Sequence, residues 1–192
     1  MFIQTEPTPN PDTLKFLPGL PVIAEGNGLE VSSHSQAQRF SPLAEALFDI
    51  DGIARVFLGR DFVAVSKAAE YDWGMLKTSV LAAIMTHFTT GLPVLSEAGM
   101  REMTSPAGEK DATRNAVEAQ IEDIIDTYIR PAVAEDGGDI VFDRFEDGIL
   151  YLHMRGACAG CPSATITLKS GIENLMRHYV PEVVEVRAAD PL

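Results

Sequence analysis

The chain has 192 residues, 46% of them hydrophobic and 22% charged, which suits one large or two small globular domains. Its net charge of −13 excludes a nucleic-acid binder that works by neutralising phosphates, and leaves either plain solubility or steering toward basic patches on partner proteins. No apolar run approaches the roughly 18–20 residues of a membrane span, and two cysteines are too few for a disulfide framework.

Residues 1–6 have neither a basic n-region nor an Arg/Ser-rich amphipathic character. No secretory signal or transit peptide is therefore expected, and the predicted compartment is the cytoplasm, where thiols stay reduced. Residues 1–5 predict a strand, and residues 6–12, with prolines at 7, 9 and 11, an extended loop. Residues 13–17 predict a second strand closed by Pro18-Gly19, residues 20–28 a turn, and residues 29–32 a short strand. Ser41-Pro42 is a helix start, with Ser as N-cap and Pro at the first helical position, and Leu43, Leu47 and Phe48 share one face. Residues 53–58 and 61–66 predict a hairpin about Gly59-Arg60. Asp72 caps the next helix, whose Trp73, Leu76, Val80, Ile84 and Phe88 form a buried stripe ended by Gly91 and Pro93.

Residues 97–112 lack periodicity and are rich in Gly, Pro, Ser and charge, which predicts a flexible linker between a domain at 1–96 and another at 113–192. Val117, Ile121, Ile124, Ile125 and Tyr128 then mark an amphipathic helix, which Pro131 kinks and the turn Asp136-Gly137-Gly138-Asp139 ends. A strand at 140–145, the turn Asp147-Gly148 and a return strand with Leu150, Leu152 and Met154 on one face follow. Beyond the cysteines, Leu168, Ile172, Leu175, Met176 and Tyr179 predict a second helix, Pro181 breaks it, and residues 183–187 give a last strand. The fold class predicted is α+β. It has two small domains, each a small sheet with helices packed on one face, and the second runs helix-strand-strand-helix-strand around a mixed three-stranded sheet.

Cys158 and Cys161 form a Cys-x-x-Cys between an apolar strand and a helix. Pro162 is a favoured first helical residue, so the helix aims its free N–H groups and positive dipole end at the sulfurs. Thiolates so placed are good nucleophiles and metal ligands. Arg155 adds positive charge, and Gly156 and Gly160 let the backbone bend closely around whatever the sulfurs hold. Three readings stay open. A metal or cluster site takes four soft ligands, and His34, His87, His153 and His178 are scattered, so a symmetric dimer would complete the set for zinc or a [4Fe–4S] cluster. A thioredoxin-like dithiol also sits between strand and helix, although here Pro follows the second cysteine and no aromatic precedes the first. Plain core cysteines would be buried, against which the glycines and the helix start both speak. His153, Lys169, Trp73 and the pair Asp136 and Asp139 fit ordinary strand, surface, core and turn roles. The proline-rich residues 7–11 fit a partner-recognition segment and a plain covering loop equally well.

Gly156-Ala157-Cys158-Ala159-Gly160-Cys161-Pro162-Ser163, with Thr167-Leu168-Lys169-Ser170-Gly171-Ile172-Glu173, resembles the C-terminal domain of NifU-like (Nfu-type) iron–sulfur cluster proteins. The match extends back through Asp136-Gly137-Gly138-Asp139 and Arg130-Pro131. Phe2-Ile3-Gln4-Thr5-Glu6-Pro7-Thr8-Pro9-Asn10-Pro11 resembles that family's separate Nfu N-terminal domain. The resemblance implies a scaffold or carrier rather than an enzyme. Such a protein holds a labile [4Fe–4S] cluster between two chains, a cluster-bridged homodimer, with Cys158 and Cys161 as ligands, and passes it to apo iron–sulfur proteins. Upstream cluster-assembly proteins are the implied donors, no nucleic acid or membrane is involved, and a [2Fe–2S] form on the same thiolates stays open. Ala164 stands where serine is common, and the cysteine-bearing scaffold domain of nitrogen-fixation NifU proteins is absent, which implies a housekeeping role. The first domain, with no cysteine, would select clients or donors. The rivals are a thioredoxin-like dithiol oxidoreductase and a zinc-bridged dimer.

Overall fold

A computed structural model describes residues 2–23, 27–104, 116–159 and 162–189, with backbone only at 104 and 162–165. The chain divides into two units, Met1–Ser105 and Pro106–Leu192. In the first, β1 (Gln4–Pro7), β2 (Thr13–Leu17), β3 (Leu29–Val31), β4 (Ile53–Leu58) and β5 (Val63–Lys67) form one antiparallel sheet in the order β1-β2-β5-β4-β3. The β4–β5 hairpin sits where the β-branched and aromatic run predicts it. β1 reaches further than expected, through Glu6 to Pro7. It is an edge strand and Pro7 ends it, so the missing N–H leaves no ladder bond unmade. The following loop is tied by its own side chains: Thr8 Oγ1 donates to the Thr13 carbonyl at 3.0 Å, and the Asp12 N–H donates to Asn10 Oδ1 at 3.0 Å.

Helices α1 (His34–Phe40), α2 (Pro42–Phe48), α3 (Trp73–Thr90) and α4 (Glu97–Thr104) complete this unit. Phe16, Val31, Leu43, Leu58, Val80 and Ile84 are among the residues of its core. Ser41 starts α2 as the Ser-Pro pair predicts. Its Oγ accepts from the Ala44 N–H at 3.1 Å and donates to the Val94 carbonyl at 2.6 Å. Asp72 caps α3, and Gly91 ends it in the left-handed conformation. Two helices depart from expectation. The sequence pattern gives no helix at 34–40, yet Ser33 caps one by accepting from the Gln36 N–H, and Ala37 and Phe40 are buried from it. The first half of the expected linker is also helical, as α4. Its Ser96 Oγ accepts from the Gly99 N–H at 3.0 Å, and Ala98 and Met103 pack on the first unit's core. Gly99 makes this possible, because any Cβ there would strike the Phe40 backbone. The remainder of the expected linker lies outside the described residues.

The second unit begins with one helical run in three parts: α5 (Ala116–Ile124), a π-turn (Ile125–Ile129) and α6 (Arg130–Glu135). Pro131 does more than kink it. Pro has no N–H for the Thr127 carbonyl and crowds that oxygen, and the helix widens so that the Arg130 N–H reaches the Ile125 carbonyl instead. β6 (Gly138–Glu146) and β7 (Ile149–Gly156) then pair antiparallel about Asp147-Gly148, and α7 (Pro162–Tyr179) crosses to β8 (Glu185–Ala188), which lies parallel to β7. The sheet order β6-β7-β8 is the mixed three-stranded arrangement expected, and the α+β class holds. Leu150 and Leu152 are fully buried with Ile121, Ile140, Met176 and Val186, while Ile149, Tyr151 and His153 on the other face are only partly covered. The expected turn at 136–139 is shorter than its glycines suggest: Gly138 and Asp139 already belong to β6, paired with Gly156 and Arg155. Among the described residues no helix is long and apolar enough to cross a membrane.

Candidate functional site

Cys158 lies in the turn after β7, just before the helical start at Pro162. Strand register decides where its sulfur goes. Gly138 faces Gly156 across β6 and β7, so the chain leaving β7 passes back over the start of β6. The Ala157 N–H donates to the Gly137 carbonyl at 3.1 Å, and the Ala159 N–H to the Gly156 carbonyl at 3.1 Å, fixing the turn. The Cys158 side chain packs inward with the core of its unit and is 6% exposed. This differs from the expectation that the neighbouring glycines work against burial. Gly138 is what permits it. A Cβ at 138 would collide with the Cys158 sulfur and would stand 2.9 Å from the Arg155 carbonyl and 3.1 Å from the Cys158 amide nitrogen. Cys161 and Gly160 lie outside the described residues.

A charged cluster holds the floor of this turn. Arg130 donates from Nε to Asp139 Oδ1 at 2.9 Å and from Nη2 to Oδ2 at 3.2 Å, a two-pronged pair. It also donates from Nη1 to Asp126 Oδ1 at 3.1 Å, one turn back. Asp139 is 6% exposed. Burial pushes its carboxyl above the ordinary carboxylate range, against the pull of Arg130 and, more weakly, of Arg155. Burial also works against the charge on Arg130, but Asp139 and Asp126 outweigh it and the guanidinium holds its proton more firmly than usual. Sequence reasoning assigns Asp136 and Asp139 to a turn and misses this pair. Arg130 and Asp139 do flank the Pro131 and Gly137-Gly138 of the motif, and that was the available signal.

The other candidates have local partners within their own units. His34 meets Asp49 at 3.0 Å on the first unit, His87 is buried in α3, His153 lies 3.4 Å from Asp143, and His178 stacks edge-on against Tyr179. Lys169 lies 3.7 Å from Glu185. Trp73 packs with the first core beside Phe16. Among the described residues no three His, Cys, Asp or Glu side chains gather as a metal site.

The first unit has no cysteine, the second has both, and Cys158 stands at the β7–α7 junction; comparison with known proteins gives the class. The family described as "Scaffold protein Nfu/NifU N terminal" matches residues 3–91, and the "NifU-like domain" matches residues 121–187. A protein of Drosophila persimilis named "NFU1 iron-sulfur cluster scaffold homolog, mitochondrial" is 46% identical over 97% of this chain and 64% of its own length. A protein of Drosophila virilis with the same name is 47% identical over 97% of this chain and 61% of its own. The chain thus spans somewhat less than two thirds of these curated relatives. A solution structure of a NifU-like protein from Saccharomyces cerevisiae aligns over 50% of this chain and 86% of that one, at 22% identity and a TM-score of 0.46. So distant a likeness carries no weight beside the strand pairing above. The chain belongs to the Nfu/NifU family, with an Nfu-type N-terminal domain followed by a NifU-like domain. The expectation of a cytoplasmic protein is corrected by the same comparison, since these relatives are named mitochondrial.

Proposed function

We propose that this chain is an iron–sulfur cluster scaffold in which Cys158 and Cys161 of two copies hold one [4Fe–4S] cluster as cargo for apo-proteins. The observation that carries the reading is the place of Cys158, at the β7–α7 junction inside the segment that matches the NifU-like domain. One chain has only two cysteines, so four thiolates require two chains. Four thiolates around a cluster leave net negative charge, which the helix start at Pro162 in each copy partly offsets. Ligands split between two chains can be replaced one at a time by a client's cysteines, so the cargo changes hands without free iron. Burial of Cys158 shields the thiol while the chain is empty. The first unit brings no thiolate and serves to select clients or upstream donors.

Anaerobic reconstitution with iron and sulfide tests the proposal. The wild-type chain takes up iron and sulfide in equal amounts with the visible absorbance of a cluster, and Cys158→Ser and Cys161→Ser each abolish the uptake. A chain that takes up no iron yet readily reduces disulfides would be a dithiol oxidoreductase instead, and one that takes up only zinc would be a zinc-bridged dimer.

A further inference from the structure

We infer that Arg130 and Asp139 are positioning residues for the Cys158 thiol: their ion pair fixes Gly138 beneath the sulfur and so sets where the thiol points. The inference rests on the proposal that Cys158 is a ligand. Asp139 is the next residue after Gly138, and the two pair with Arg155 and Gly156, the last residues of β7 before the turn. The backbone under the sulfur and the backbone leading to it are therefore one rigid piece of sheet. Arg130 ties that piece to the helix by both carboxylate oxygens of Asp139, at 2.9 and 3.2 Å. The guanidinium is itself held from the other side by Asp126. A planar fork gripped from two directions has one orientation, which a lysine ammonium cannot supply.

Stability alone does not account for the pair. A partly buried ion pair still costs desolvation, and apolar residues of similar volume commonly serve the fold as well or better. What apolar residues lack is direction. The π-turn at Ile125–Ile129 fits the same account, because it sets the backbone of Arg130 by the bond to the Ile125 carbonyl.

The test uses the full-length, empty chain carrying Cys161→Ser, so that Cys158 is its only thiol. Alkylation of Cys158 by iodoacetamide is timed by mass spectrometry at one fixed pH, and amide exchange across β7 and β8 monitors the fold. In that background Cys158 reacts more slowly than an unprotected thiol. Asp139→Asn raises its rate about tenfold, because the seat opens more often. The double change Arg130→Met with Asp139→Leu does the same while exchange across β7 and β8 stays as in the parent, and Arg130→Lys falls between. A double variant that folds with Cys158 alkylated at the parent's rate overturns the inference. So does a double variant that cannot fold, since the pair would then be a fold determinant, and so does a parent whose Cys158 reacts like an unprotected thiol. None of these readouts involves a cluster. Iron uptake by the wild-type chain decides the ligand proposal separately.

Discussion

Replacing Gly138 by Ala puts the account of the sulfur seat to a test of sign. The backbone at 138 is ordinary strand, and in a strand an Ala-for-Gly change with open space around it stabilises by about 0.4–1 kcal/mol through the unfolded chain. The structure predicts the opposite. The new methyl would meet the Cys158 sulfur, the Arg155 carbonyl at 2.9 Å and the Cys158 amide nitrogen at 3.1 Å. Two of these three are backbone atoms, one in the β6–β7 ladder and one in the hydrogen-bonded turn that follows it, and the third belongs to a side chain with a single rotatable bond. Overpacking of this kind costs about 1–3 kcal/mol, which exceeds the entropic gain. Gly138→Ala is expected to destabilise the second unit by about 1–2 kcal/mol, read as faster amide exchange in β6 and β7. The first unit is expected not to change. Trp73, the only tryptophan, lies there, and its fluorescence in urea serves as the internal control. A second unit that is unchanged within about 0.5 kcal/mol, or stabilised, would refute the reasoning.

Three further outcomes follow from the same geometry. Leu152→Ala, at a fully buried position of β7, should cost the second unit about 2–5 kcal/mol by amide exchange, with the Trp73 transition in its wild-type place. Ser41→Ala removes both the cap on the Ala44 N–H and the bond to the Val94 carbonyl, and should lower the first unit's stability by about 1–2 kcal/mol in a urea titration followed by Trp73. Burial lowers the pKa of His87, partly offset by its bonds to the Leu92 and Pro93 backbone, so the folded first unit prefers the neutral ring. The His87 contribution is then complete above the unfolded value of about 6.5 and is lost as pH falls below it. His87→Phe should flatten the stability of the first unit between neutral and mildly acidic pH, and a slope equal to wild type would count against the assignment.

Much of the fold was legible because it follows from local rules. The β4–β5 hairpin, the Asp72 and Ser41 caps, the Asp147-Gly148 turn and the helix from Pro162 each carry their cause within a few residues. What escaped depends on distant partners. Helix α1 is only seven residues long, too short for a period, and its signal was the Ser33 cap three residues before Gln36. Helix α4 reads as polar linker because its packing partner, the Phe40 backbone, lies far back in the chain. At the site, the Cys-x-x-Cys and the helix start were visible, but the role of Gly138 was not. Two glycines in a row read as a turn, whereas the second is the floor for a sulfur twenty residues on. The Arg130–Asp139 pair stayed hidden for a related reason: its partners sit on a helix and a strand that only the fold brings together.

The most direct test of the central claim is the mass and composition of the loaded protein, taken by native mass spectrometry after anaerobic reconstitution. The account predicts two chains with one cluster of about four irons and four sulfides, and no loaded species when either Cys158 or Cys161 is serine. A cluster carried whole by a single chain, or a loaded dimer that survives loss of Cys158, would contradict it.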